Sequence, residues 1–124
     1  MSRGSMILVD SPVWIDHLHA EEPELSELLS GQQVVMHMAV LGEVALGQMK
    51  QRERVLDGMR RLPFVRGARD NEVVTLIERQ PLHGRGIGYV DAVLLASTLL
   101  TPGTRLWTRD KRLKKLAEEL GCAW

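Results

Sequence analysis

The sequence predicts an α/β fold: three layers, with helices on both faces of a central, mainly parallel sheet of four to five strands. Two observations predict it. Short apolar runs such as Met6-Ile7-Leu8-Val9 and Val34-Val35-Met36 alternate with helical segments along the chain, an order that lays strands parallel. These runs are continuously apolar rather than alternating, as befits strands covered on both faces. At 124 residues the chain can build one substantial core but not two.

Taken in order, Met6–Val9 reads as a buried strand. Pro12 suits the first turn of a helix reaching about Leu18, where its missing N–H costs nothing. Glu22–Leu29 has helical spacing, with Leu25, Leu28 and Leu29 on one side and Ser30-Gly31 closing it. Gln33–His37 reads as a second strand. Ala39–Met49 is a strongly apolar helix and Arg52–Leu62 a more charged one. Pro63-Phe64-Val65 fits a brief strand, and Asp70–Gln80 a helix capped by Asp70. A glycine-rich loop, residues 83–88, leads into the helix Asp91–Leu100. Arg105-Leu106-Trp107 is a strand, Lys111–Leu120 a basic amphipathic helix ended by Gly121, and Cys122-Ala123-Trp124 an edge strand.

Composition narrows the class. Hydrophobic residues make up 44% and charged residues 26%, ordinary for a globular domain. No apolar run approaches the roughly 20 residues of a membrane-spanning helix, and no signal peptide is legible, so a cytoplasmic protein with no membrane partner is expected. Met1-Ser2-Arg3-Gly4-Ser5 reads as an expression scar, leaving residues 6–124 as a single domain. A lone cysteine, Cys122, excludes an internal disulfide or a cysteine-based zinc site. Net charge is zero, but residues 1–62 carry 6 basic against 9 acidic residues, while residues 63–124 carry 10 against 7. Attraction to nucleic acid must then be local and drawn from the second half.

Four acids stand in apolar surroundings. Asp10 ends the first strand, Glu43 lies within Met38-Ala39-Val40-Leu41-Gly42-Glu43-Val44-Ala45-Leu46, Asp91 precedes Ala92-Val93-Leu94-Leu95, and Asp110 follows the strand at Leu106-Trp107. Asp10, Asp91 and Asp110 can each serve as helix caps, worth roughly 1 kcal/mol, although Ser11 and Thr108 are also able to cap. Glu43, inside an apolar helix, is expected to be buried and in need of a partner, such as an arginine. In an open parallel sheet, however, ligands collect beyond the carboxyl ends of the strands, and all four acids can reach one cleft there. Their mutual repulsion, on the order of a few kcal/mol, is relieved by a divalent cation, and oxygen-only ligands select Mg²⁺ or Mn²⁺. Such a site suits phosphodiester hydrolysis, in which the metal lowers the pKa of a bound water. No Ser–His–Asp or Cys–His arrangement is legible, and His17, His19, His37 and His83 are scattered.

Four stretches, the opening MILVDSPVWIDHL, then LGEVALG, GIGYVDAVLLAS and LWTRDKRLKKLAEELG, together resemble a known family. Their order and spacing are similar to the PIN-domain ribonucleases, specifically the VapC-type toxins of type II toxin–antitoxin systems, over nearly the whole chain from Met6. The resemblance implies a three-layer PIN-like domain over residues 6–124, RNA as substrate (tRNA or rRNA), homodimerisation, and neutralisation by a cognate antitoxin. It assigns Asp10, Glu43, Asp91 and Asp110 as the catalytic ligands of Mg²⁺ or Mn²⁺, with Ser11 and Thr108 in support. Pro12 departs from the family, which often carries Ser or Asn there; its side chain donates no hydrogen bond.

Other features admit two readings. Gly84-Arg85-Gly86-Ile87-Gly88 lacks the leading strand of a dinucleotide site; Arg85 could meet an RNA phosphate or solvent. Arg109, Lys111, Arg112, Lys114 and Lys115 fit a phosphate-binding surface or a solvated helix face. Trp14 and Trp107 read as core, and a single Tyr and Phe argue against a base-stacking platform. Two rival functions are a catalytically weakened PIN-like module binding protein or RNA, and a receiver-type phosphorylation switch. The switch would need a lysine where the chain has Thr108-Arg109.

Overall fold

The computed structural model describes residues 4–124; Met1–Arg3, part of the stretch read as a scar, lie outside the described residues. In chain order the elements are β1 (Met6–Val9), α1 (Ser11–His19), α2 (Pro23–Ser30), β2 (Val34–Val35), α3 (Met38–Ala45), α4 (Arg52–Arg60), α5 (Asp70–Arg79), α6 (Tyr89–Leu99), β3 (Thr104–Trp107) and α7 (Lys111–Glu119). The strands form one parallel sheet in the order β2-β1-β3. Successive side chains of a strand point to opposite faces, and Ile7, Leu8 and Val9 are all buried, so helices cover both faces of β1.

Three strands form, fewer than the four to five expected. The two remaining segments do pair in parallel, but each through one bridge, Met36 with Phe64 and Leu106 with Ala123. Pro63 explains the first: with no N–H it lends only its carbonyl, which accepts from Met36 at 2.8 Å, and cannot extend a ladder. The second follows at once on the end of α7. There Gly121, at φ +76°, supplies the left-handed residue of a Schellman ending: its N–H donates to Glu118, and that of Cys122 to Ala117.

Helix boundaries depart from expectation where capping decides them. Arg69, not Asp70, is the N-cap residue of α5, and the Glu72 carboxylate accepts the Arg69 N–H at 2.8 Å. The Arg66 guanidinium on the same carboxylate holds Glu72 down to about 2. Helix α3 ends at Ala45, short of Met49, because the Arg52 guanidinium from α4 donates to the carbonyls of Ala45 and Gly47 and satisfies that open end. Helix α6 begins at Tyr89, two residues before Asp91.

His37 caps α3. Its Nδ1 accepts the Ala39 N–H at 2.9 Å, so Nε2 carries the proton and donates to Ser97 Oγ at 3.0 Å. Ser97 Oγ also accepts from the Ala68 N–H, joining α3, α6 and the entry to α5 through one neutral imidazole. Burial lowers its pKa below the ordinary histidine value. The unfolded chain therefore binds the proton first, and stability should fall as pH drops below about 6.5. Chemical unfolding at pH 7.5 and 5.5 checks this: the loss between them should shrink in His37→Asn, which retains a capping side chain. An unchanged loss would place the dependence elsewhere.

Candidate metal centre

The carboxyl ends of β1 and β3 lie side by side, and the Asp10 N–H donates to the Trp107 carbonyl at 2.9 Å. At this junction the chain leaves the central strand for α1, and Asp10 becomes the N-cap residue of that helix. Ser11 is therefore not the cap, contrary to one sequence expectation; it occupies the first helical turn beside Pro12. Asp10 is buried. Its Oδ1 accepts the Ser11 N–H at 2.8 Å and its Oδ2 accepts the Thr108 hydroxyl, also at 2.8 Å. Each carboxylate oxygen keeps a lone pair beyond these bonds.

Glu43 and Asp91 lie near enough for their charges to act on this carboxylate. The Ser11 hydroxyl, released from capping, donates to Glu43 Oε1 at 2.9 Å and ties α3 to the first turn of α1. Glu43 is exposed, which corrects the expectation of burial; its partner is the Ser11 hydroxyl, and the alternative of an arginine partner is not met among the described residues. Asp91 sits in the first turn of α6 and reaches back to the Gly88 N–H at 3.2 Å. Asp110 is the N-cap residue of α7, accepting from Leu113 N–H at 2.9 Å, while its own N–H donates to Thr108 Oγ1 at 3.1 Å. Capping and site geometry thus coexist at Asp10, Asp91 and Asp110.

Electrostatics mark Asp10 as the strained member. Burial is the main cause raising its carboxyl above the usual carboxylate range; the Thr108 hydroxyl and Ser11 amide oppose this, and the charges of Asp91 and Glu43 add to it. No lysine or arginine pairs with Asp10, Glu43, Asp91 or Asp110 among the described residues. Nor do three ligand-type side chains converge on one ion-sized point among those residues. Glu43 and Asp110 are exposed, so rotamer changes that would draw them inward meet little packing. The donor set, carboxylates flanked by hydroxyls, is all oxygen and fits a hard divalent cation.

Two of the arginines expected near RNA have acidic partners. Arg109 forks between Asp16 and Glu22, with its guanidinium 5.9 Å from the Trp107 ring. Arg85 is bidentate on Glu119, at 2.6 and 3.2 Å. Lys111 is exposed, and Arg112 lies against Gly86. Thr108 is a structural hinge of the site, since one hydroxyl serves both Asp10 and the Asp110 backbone. Thr108→Val should destabilise by about 2 kcal/mol, the worth of a hydrogen bond to a buried charged group. Urea unfolding at pH 7 measures this, and a loss below about 0.5 kcal/mol would mean the bond is dispensable.

A parallel α/β domain with a buried acid at the carboxyl end of its central strand, and further acids on α3 and at the starts of α6 and α7, is the class that fold and site define together. The chain belongs to the PIN-domain family, whose model matches residues 7–119, and groups with its VapC-type ribonucleases. It is 49% identical over 118 residues to Ribonuclease VapC32 from each of two strains of Mycobacterium tuberculosis, the match covering 95% of both chains. The receiver-type reading ends here.

Proposed function

We propose that this protein is a divalent-metal-dependent endoribonuclease toxin. The observation that carries the reading is Asp10: a buried carboxylate, unpaired with any base, at the end of the central strand, with Glu43 and Asp91 close enough to raise its pKa. Asp10, Glu43, Asp91 and Asp110 are the proposed catalytic ligands, for Mg²⁺ or Mn²⁺. When bound, such an ion supplies hydroxide from water near neutral pH and steadies the leaving oxygen.

The chain's own groups have separable tasks. Asp10 fixes the centre of the site, since its two hydrogen bonds leave it one orientation. Ser11 holds Glu43 toward that centre, and Thr108 ties Asp110 to it. Lys111 and Arg112, beside Asp110 on α7, are the proposed contacts to substrate phosphates. The name of the relatives, together with 49% identity over nearly the full length, supports RNA as substrate, with tRNA or rRNA the class to examine first, and a cognate antitoxin as partner. Homodimerisation and a cytoplasmic setting complete the proposal, with residues 6–124 acting as one domain. No helix among the described residues is long and apolar enough to cross a membrane.

The test incubates antitoxin-free protein with structured RNA in Mg²⁺, Mn²⁺ or chelator. Cleavage should require metal and disappear in Asp91→Asn; cleavage in chelator, or an active Asp91→Asn, would refute the mechanism. Pro12 is exposed, and the Ser11 and Thr108 bonds form without it. This favours an active enzyme over the weakened binding module.

A further inference from the structure

Beside the acid site, on its β3 side, runs a groove of about 560 Å³ lined by Trp107, Thr108, Arg109, Lys111, Lys114 and Trp124, with Glu24 from α2 also in its wall. It shares Thr108 with the site, the residue whose hydroxyl holds Asp10, and Lys111 in its wall directly follows Asp110. Trp124 is 40% exposed, yet it is not loose. Its backbone N–H donates to Leu106 at 3.0 Å, and its ring leans on Trp107, 4.7 Å between centroids at 51°. An indole fixed along one side and open on the other is a preformed stacking surface.

Charge completes the arrangement. Arg109 is held by Asp16 and Glu22, whereas Lys111 and Lys114, one helical turn apart on α7, have no acidic partner among the described residues. An aromatic face beside two open ammonium groups is the chemistry that binds single strands, bases stacking while phosphates meet cations. Duplex RNA hides its bases in the stack and cannot use the indole. We infer that this groove binds an unpaired segment of the RNA substrate, one base stacking on Trp124 and its phosphates meeting Lys111 and Lys114. On this inference Trp124, a residue left aside by the reading from the single Tyr and Phe, supplies the stacking surface. An acidic peptide would satisfy the lysines but give the indole no planar partner.

The inference deepens the nuclease reading and rests on it for the identity of the ligand, but binding can be measured without cleavage. Fluorescence anisotropy of labelled hexa-adenylate, in chelator, compares the full chain with Trp124→Ala, Trp124→Phe and the Lys111→Gln/Lys114→Gln double variant. Trp124→Ala should weaken binding on the order of tenfold and Trp124→Phe much less. The double lysine variant should lower the slope of log affinity against log salt by about 1.4, two phosphates' share on a single strand. Equal affinity in Trp124→Ala and parent, an unchanged salt slope, or equally tight binding of a duplex would overturn the inference. So would competition by hexaglutamate at the same concentration. Thermal melting confirms that each variant is folded, and Trp124→Phe keeps an aromatic ring if the alanine variant is not. Metal-dependent cleavage with no effect of Trp124 would remove the groove alone; loss of hexamer binding in Trp124→Ala without any cleavage by the parent would remove the nuclease alone.

Discussion

Replacing Asp10 by asparagine should cut RNA cleavage by at least about a hundredfold while raising the melting temperature of the metal-free protein. The first effect follows from position. Asp10 bonds Thr108 and the Ser11 amide, and through them reaches Asp110 and Glu43. Loss of even an outer partner of a metal ligand typically costs about 10–100-fold, and Asp10 is proposed as the central ligand. The second effect follows from charge. The buried carboxylate is penalised by desolvation and by Asp91 and Glu43, and a neutral amide relieves all three penalties. Geometry survives, because the carboxamide can still accept from Ser11 N–H and can donate to the Thr108 hydroxyl, which accepts as readily as it donates. Opposite signs for activity and stability separate a site residue from a packing residue. A variant that lost both together would indicate that Asp10 is chiefly a helix cap.

Leu8→Ala should be the most damaging of the simple core truncations. Leu8 is fully buried at the middle of β1, paired with Val35 on one side and Leu106 on the other. Its loss leaves a cavity bounded by two strands that cannot close in without breaking register. The expected cost is about 2–5 kcal/mol, or roughly 8–20 °C in melting temperature for a domain of this size. Since β1 carries Asp10, cleavage should decline as temperature approaches the lowered transition, and not before. Calorimetric melting beside a cleavage assay at about 20 °C reads both; a shift under about 3 °C would mean that the core repacks freely.

What the sequence disclosed, and what it hid, divides along a physical line. The strands were legible because a buried parallel strand has no polar face, and Met6–Val9 and Leu106-Trp107 show none. Asp10 was legible for the same reason, as the residue where apolarity stops. Glu43 was not: apolar neighbours suggest burial all round, whereas α3 leaves one side open, with Met38 64% and Leu46 89% exposed. The role of Ser11 depended on which of two adjacent residues capped α1, a choice made by the Thr108 bond from the far end of the chain. The fork of Arg109 joins residues 93 and 87 positions away, and no local pattern announces such a partner. Trp124 likewise became part of a surface only when the short bridge to Leu106 laid it against Trp107.

The central claim is that the acids at the ends of β1 and β3 hold a divalent cation. Calorimetric titration of Mn²⁺ into the antitoxin-free protein and into its Asp10→Asn variant, at pH 7, tests it most directly. Saturable binding by the parent, weakened at least about tenfold in the variant, is the predicted result. Equal binding by the two proteins, or none by the parent, would contradict it.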